Sequence, residues 1–335
     1  MQKKITWLIG IIVSAVVLIF CYFIFSYLYC DRIFPHSQVT YVLSPGTSTK
    51  SLAYELHARA IIEHPKLFAF LVQLEGHAKH LQSGEYQFKS GISVQGLINK
   101  LASGDVAKHE FTIVNGWTFK QLRQVLNNNP YLIHQTNNLS SKQILQRLQL
   151  HYQKLEGLFL AETYQFTWHD SDLDILKRAY QALQIVLQAE WQQRTTADVY
   201  HNPYQALIVA SMLEKETSEP TERSKISGVI YRRLQKDMRL QIDPTVIYAL
   251  GNQYRGKLHH QDLTINSPYN TYLHYGLPPT PIAMCAVASI HAALHPDVGS
   301  ELYFVAKGDG GHHFSSTLKA HDRAILKYLL NNKSK

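Results

Sequence analysis

Two glutamates flank one lysine, Glu214-Lys215-Glu216, at the end of a mostly apolar run from Ala206 to Leu213. A carboxyl in such surroundings is a candidate for general acid–base chemistry. Desolvation disfavours its charged form, raises its pKa and keeps a proton available near neutral pH. Asn202-Pro203 opens the run with an N-cap residue and a proline at the first helical position, so the pair falls near the end of a helix. Two positions along a helix turn through about 200°, so the two carboxyls cannot share a face and at most one enters a given cleft. Glu214 lies over Leu207, Ala210 and Ser211, a small surface suited to desolvating it. Spacing alone leaves Glu214 and Glu216 both open, and equally the reading that both are surface carboxylates beside Lys215.

The 18 histidines raise the question of a metal. His259-His260 and His312-His313 are adjacent pairs, and adjacent side chains diverge on a helix or a strand. No HExxH or CxxC pattern is present, so neither a metal nor a cofactor is expected. Of the three cysteines, Cys21 and Cys30 belong to the N-terminal apolar stretch, and Cys285 alone is expected as a buried small residue. Asp243 precedes Pro244 and reads as an N-cap. Arg232, Arg233 and Lys236 form the densest basic cluster and read as a solvated helix face.

The elements that must position these groups follow from periodicity. Tyr41–Leu43 reads as a strand, Ser48–Ala60 and Lys66–Leu74 as helices, Gly84–Phe88 as a strand, and Ser93–Leu101 as a helix stopped by Ser103-Gly104. A strand at Glu110–Val114 and a helix from Thr118 to Leu126 come next, then a polar stretch over 127–150. Beyond 156 the pattern is largely helical: 173–195, 203–217, 221–236, 244–250, Ala283–Leu294 and Leu318–Leu330. A proline-rich loop covers 267–281, and Leu302–Ala306 with His312–Ser315 form a hairpin around Gly308-Asp309-Gly310-Gly311.

Ile5 to Cys30 carries no charge and is long enough to cross a hydrocarbon layer of about 30 Å. Lys3 and Lys4 precede it, which keeps the N-terminus cytoplasmic and sends the rest outside. The run is too long, and its end too bulky, for a cleaved signal peptide. With 45% hydrophobic and 17% charged residues the remainder is expected to fold. The net charge of +8 suits an anionic partner. Nucleic acid is not expected, because the soluble part lies on the far side of the membrane.

The segment Ala210-Ser211-Met212-Leu213-Glu214-Lys215-Glu216-Thr217 resembles the catalytic stretch of the endolytic murein transglycosylase (YceG-like) family. Met238–Tyr248, Ser267–Tyr272, Gly276–Pro279, Leu302–Ala306 and His313–Ser315 resemble further motifs of that family, in the same order. The likeness runs from about Val39 to the C-terminus. Two positions depart from it: Ala161-Glu162 stands where Pro-Asp is usual, and Thr280 where Gly is usual.

The resemblance implies an α+β fold with an N-terminal transmembrane helix, a small LysM-like α+β module, and a larger, mainly helical catalytic domain with a β-hairpin. The expected divisions are a cytoplasmic tail (1–4), the membrane helix (5–30), the LysM-like module (38–105), a connecting segment (106–155) and the catalytic domain (156–335). It further implies cleavage of the β-1,4 bond between N-acetylmuramic acid and N-acetylglucosamine, leaving a 1,6-anhydro end, with termination of nascent strands as the role. Glu214 is implied as the catalytic residue. Glu216, Gln241, Tyr269, Asn270, Tyr272, Glu162 and His313 are implied as supporting or substrate-binding groups. Peptidoglycan strands, and the synthases that make them, are the implied partners, at an inner membrane with the catalytic part periplasmic. Two rival functions stay open: a non-catalytic, membrane-anchored wall-binding scaffold, and a muramidase that uses water.

Overall fold

The computed structural model describes residues 2–32, 34, 37–195 and 199–330. Residue 1 of the expected tail, residues 33, 35 and 36 of the link after the apolar run, and 331–335 of the expected catalytic region lie outside the described residues. The chain is a mixed α+β protein, mostly helical, with small two-stranded sheets. It divides into two compact units, Met1–His109 with Phe166–His169, and Glu110–Gln165 with Asp170–Lys335.

The first unit begins with helix α1 (Gln2–Tyr29). Its stretch Trp7–Tyr29 has a mean hydropathy of 2.9 and is long and apolar enough to span a membrane, a property it shares with signal sequences. The last turn differs from the rest. Tyr27 and Leu28 are buried in the unit's core, Ile24 packs against it, and the Tyr27 hydroxyl donates to the His64 carbonyl at 3.2 Å. Strand β1 (Gln38–Leu43), helices α2 (Thr49–Ala58) and α3 (Pro65–Leu74), strand β2 (Gly84–Lys89) and helix α4 (Val94–Ser103) follow. β1 and β2 pair antiparallel with Tyr41 opposite Tyr86. Ser48 and Ser93 accept from the backbone N–H of Ser51 and Gly96, capping α2 and α4 as their position predicts. Leu52, Leu56, Phe68, Phe88, Leu97 and Leu101 close the core between sheet and helices.

In the second unit β3 (His109–Thr112) pairs with a strand absent from the sequence-based reading, described below as β4. Helix α5 (Phe119–Asn127) and helix α6 (Ser141–Arg147) each start with a capping box, Thr118 with Gln121 and Ser140 with Gln143. β4 covers Thr163–Phe166. Four residues are too few for a two-residue period to stand out in sequence. Helix α7 (Asp172–Gln192) is capped by Ser171 and Asp174.

Helix α8 (Pro203–Glu216) is the unit's centre. Every residue from Ala206 to Glu214 is buried, so this helix shows no amphipathic face. It packs against α7, α9 (Arg223–Gln235), α10 (Asp243–Leu250) and α11 (Val287–Leu294). The Ser211 hydroxyl donates to Ile208 O at 2.7 Å and accepts from Ile282 N at 3.0 Å, tying the proline-rich loop to α8.

α11 starts four residues later than its hydrophobic pattern predicts. Met284 exchanges backbone hydrogen bonds with Gly116 and Trp117, and Cys285 O accepts from Ala161 N, so this stretch stays extended. Strands β5 (Tyr303–Ala306) and β6 (His312–Ser315) form the expected hairpin, and α12 (Leu318–Ile325) runs on into a wider π turn, Leu326–Leu330.

Candidate functional site

The end of α8 sends its two glutamates in different directions, as the 200° argument requires. Glu214 turns inward and both its oxygens are taken. Asn115 Nδ2 donates to Oε1 at 2.6 Å, and Ala286 N donates to Oε2 at 3.0 Å. The carboxylate thereby ties α8 to the turn before α5 and to the start of α11. Glu216, the last residue of α8, opens onto a cleft of about 450 Å³ shared with Arg233, Gln241, Asp243, Tyr272 and His312. The residue as a whole is half-buried, but its Oε2 has no exposed surface and no hydrogen-bond partner. Burial, and secondarily the Asp243 carboxylate, push its pKa up to about 8.

The cleft's opposite wall is built by backbone-directed bonds. Gln241 holds a positive φ of 55°, donates its N–H to Thr271 O at 3.1 Å, and accepts at Oε1 from Arg233 Nη1 at 3.1 Å. Its amide nitrogen is left as the donor facing away from Arg233. Arg233 is buried, 6% exposed, and also donates to the carbonyls of Leu302, Arg239 and Leu240, with Tyr303's ring 5.0 Å from its guanidinium. The expected solvated face is therefore corrected: Arg233 is an internal brace, and Arg232 donates to Asp297 O and Glu301 O. A helical wheel drawn on α9 alone could not show the carbonyls that converge on this side.

Asp243 is also reassigned. It is the first residue of α10, its side chain makes no N-cap bond, and its Oδ1 accepts from the Tyr272 hydroxyl at 2.5 Å. Burial, then Asp243, raise the Tyr272 phenol well above its ordinary value. His312, rather than the expected His313, lines the cleft. His313 is exposed, with its ring against Tyr328. Alternation along β6 sends the neighbouring side chains to opposite faces. Glu222 fixes His312 by accepting from its backbone N–H at 2.9 Å and pairing with its ring Nδ1 at 2.8 Å. Burial works to raise the Glu222 pKa, but His312 outweighs it and leaves that carboxyl below its usual range.

The other expected site residues lie elsewhere. Tyr269 is buried, its hydroxyl 2.7 Å from Thr280 Oγ1 and its ring 4.8 Å from that of Tyr248. Asn270 is fully buried, donates to Leu263 O and Ile265 O, and accepts from Tyr272 N, so it folds the loop that presents Tyr272. Glu162 has an exposed side chain away from the cleft, and its carbonyl accepts from Ile113 N at 3.0 Å. Thr280 is buried under the loop, where its hydroxyl meets Tyr269. Of the expected groups, Glu216, Gln241 and Tyr272 come together; Glu222, Arg233, Asp243 and His312 join or brace them. Another depression, about 820 Å³ beside Tyr204 and Gly276–Pro279, is lined by no carboxylate and offers no comparable chemistry.

A protonated carboxyl beside hydrogen-bonding groups in a half-open cleft is equipped to donate a proton to a leaving oxygen. Known proteins resemble the chain over most of its length. A protein named endolytic murein transglycosylase from Bacillus subtilis (strain 168) is 32% identical over 315 residues, covering 87% of this chain and 84% of the relative. One of the same name from Streptococcus pneumoniae (strain D39) is 23% identical over 324 residues, but the chain spans only 58% of its length. The crystal structure of a YceG-like protein from Listeria monocytogenes superposes with a TM-score of 0.54 at 28% identity, covering 85% of this chain and 98% of that one. The YceG-like family profile matches residues 41–327, and the chain belongs to that family.

Proposed function

We propose that this chain is a membrane-anchored endolytic lytic transglycosylase acting on peptidoglycan glycan strands, with Glu216 as acid and then base. The observation that carries the assignment is the unpartnered, buried Oε2 of Glu216 in the cleft, with a pKa near 8. Glu214, the catalytic residue that the family resemblance implies, has both oxygens committed to Asn115 and Ala286. Its role here is to position the end of α8.

In the proposed reaction Glu216 gives its proton to the glycosidic oxygen as the bond from the muramic C1 breaks. The C6 hydroxyl of the same sugar attacks C1, and its proton passes to the Glu216 carboxylate. No water is consumed, and the acid is regenerated. One carboxyl suffices because the nucleophile is already held in the substrate, whereas hydrolytic glycosidases need a second. Gln241 Nε2, Tyr272 and His312, which line the cleft beside Glu216, are proposed to bond sugar hydroxyl and N-acetyl groups. The β1-α2-α3-β2 arrangement in the first unit is proposed to engage glycan as a LysM-like module. α1 is proposed to anchor the chain with both units outside the cytoplasm, where nascent strands and their synthases meet it.

One observation favours a second reading. Asp243 shares the cleft with Glu216, and a second carboxylate is what a water-using muramidase requires. Product ends separate the two. The full-length chain in detergent, incubated with purified peptidoglycan, should release anhydro-ended internal fragments by mass spectrometry. Glu216→Gln should lower the rate by roughly a thousandfold or more, the scale of an essential acid–base group. Glu214→Gln should retain a measurable fraction. Reducing ends would transfer the assignment to hydrolysis, and equal losses in the two variants would remove the distinction between the glutamates.

A further inference from the structure

Away from the cleft, three potential ligands meet where α7 and α11 end side by side. Glu190 lies in the last turn of α7, His291 on α11, and His295 just past its end. Glu190 Oε2 is 2.9 Å from His291 Nδ1 and 3.2 Å from His295 Nε2, and the three atoms all lie within 4.8 Å of one another. We propose that Glu190, His291 and His295 form a binding site for a divalent transition-metal ion of the zinc class, completed by water.

The geometry supports an ion. Zinc bonds of about 2.0–2.2 Å to nitrogen and oxygen imply tetrahedral edges of about 3.3–3.5 Å. Two edges of the triangle are within about 0.5 Å of that already. The third closes by rotation of His291, whose side chain is 60% exposed, against Glu190 and His295, each 22% exposed. The two imidazoles stand four residues apart across the end of α11, where His295 N still donates to His291 O at 2.9 Å and keeps them on one face. Their rings stack at 4.3 Å, an arrangement that two imidazolium charges oppose and a shared cation with neutral rings favours.

Electrostatics point the same way. α7 and α11 both present their C-terminal ends, where the helix dipole favours a cation. Arg194, the cation one turn beyond Glu190, folds instead onto Trp191, with its guanidinium 3.9 Å from the ring and Nη1 donating to Trp191 O. The mixed imidazole and carboxylate set suits zinc, nickel or copper over calcium or magnesium. An ion there would clamp the two helices next to the existing bonds from Thr195 to Leu294 O. It would hold the end of α11 opposite the one whose Ala286 donates to Glu214.

The test is a zinc titration of the full-length, chelator-stripped chain in detergent at pH 7.5, against a chromophoric competitor, with cobalt absorption as the second readout. The expected result is one equivalent bound at micromolar or tighter Kd, with a rise in the midpoint of thermal unfolding. Glu190→Gln should weaken binding at least tenfold, and the His291→Ala/His295→Ala double variant should abolish both binding and the thermal shift. Circular dichroism confirms that each variant is folded, and His291→Ala alone, at an exposed position, provides a variant that does not threaten the fold. Binding of equal strength in the double variant would place the metal on other histidines and overturn the proposal. So would the lack of any stoichiometric binding to the wild-type chain.

Discussion

At the residue scale, the contrast between Glu214 and Glu216 has a thermodynamic signature. The folded pKa of Glu216, about 8, lies above the ordinary carboxyl value of 4.5. The folded chain therefore keeps a proton that the unfolded chain has lost, and stability falls as pH rises through that interval. Glu216→Gln removes the penalty. Its advantage over wild type should be absent below about pH 4, grow through neutrality and level off above about pH 8, reaching roughly 1–3 kcal/mol after discounting for solvent screening of a half-buried group. Urea melts at several pH values measure it. A gap that ran the other way, or none, would mean that Glu216 is not held protonated. The same protonation predicts that kcat/KM for glycan cleavage declines above about pH 8, since that parameter reports the free enzyme. The sequence placed both carboxyls at a helix end and required them to diverge. It could not show which one was satisfied, because the partners that decide this, Asn115 and Ala286 N, lie 99 and 72 residues from Glu214.

At the element scale, the cleft depends on how α9 reaches across to its neighbours. Arg233 leaves the helix to bond the carbonyls of Leu302 before β5 and of Arg239 and Leu240 before α10, and it also steers Gln241. Lysine keeps the charge but offers a single point where arginine offers a planar fork. Arg233→Lys should therefore leave buried carbonyls unsatisfied and destabilise the fold by about 2–3 kcal/mol. The loss of activity should exceed what the unfolded fraction explains, because Gln241 loses its brace. Comparing denaturation midpoints with turnover at a temperature where the variant is fully folded separates the two effects. Helices with local start signals were legible in advance: α2, α4, α5 and α8 all begin at the capping residue the sequence offers. Features set by distant backbone were not legible. β4 needs β3 to exist, and α11 starts late because residues 284–286 bond to Gly116, Trp117 and Glu214.

At the scale of the whole molecule, the sequence reads the apolar run as a single object, and the structure divides it. From Trp7 to about Phe23 the helix is exposed and available to lipid. Phe25 and Tyr29 are exposed as well, so one face stays open past the point where the other enters the core. Beyond it, Tyr27 and Leu28 are core residues of the first unit. Hydropathy cannot tell a lipid-facing turn from a protein-facing one, since both are apolar. A chain cut at residue 31, the boundary that charge and hydropathy suggest, would therefore remove part of a folded core along with the apolar helix. Losing two large buried side chains should cost the first unit about 3–5 kcal/mol. A chain starting at residue 24 should keep that core intact and melt in guanidinium at the higher midpoint, whereas one starting at residue 31 should show an earlier transition for the first unit. Leu97→Ala, in the same core, should lower that early transition further by about 2–5 kcal/mol and leave the transition of the second unit in place, because its core cluster is a separate set of residues. Identical midpoints for the two starting points would mean that Tyr27 and Leu28 add nothing to the stability of the first unit.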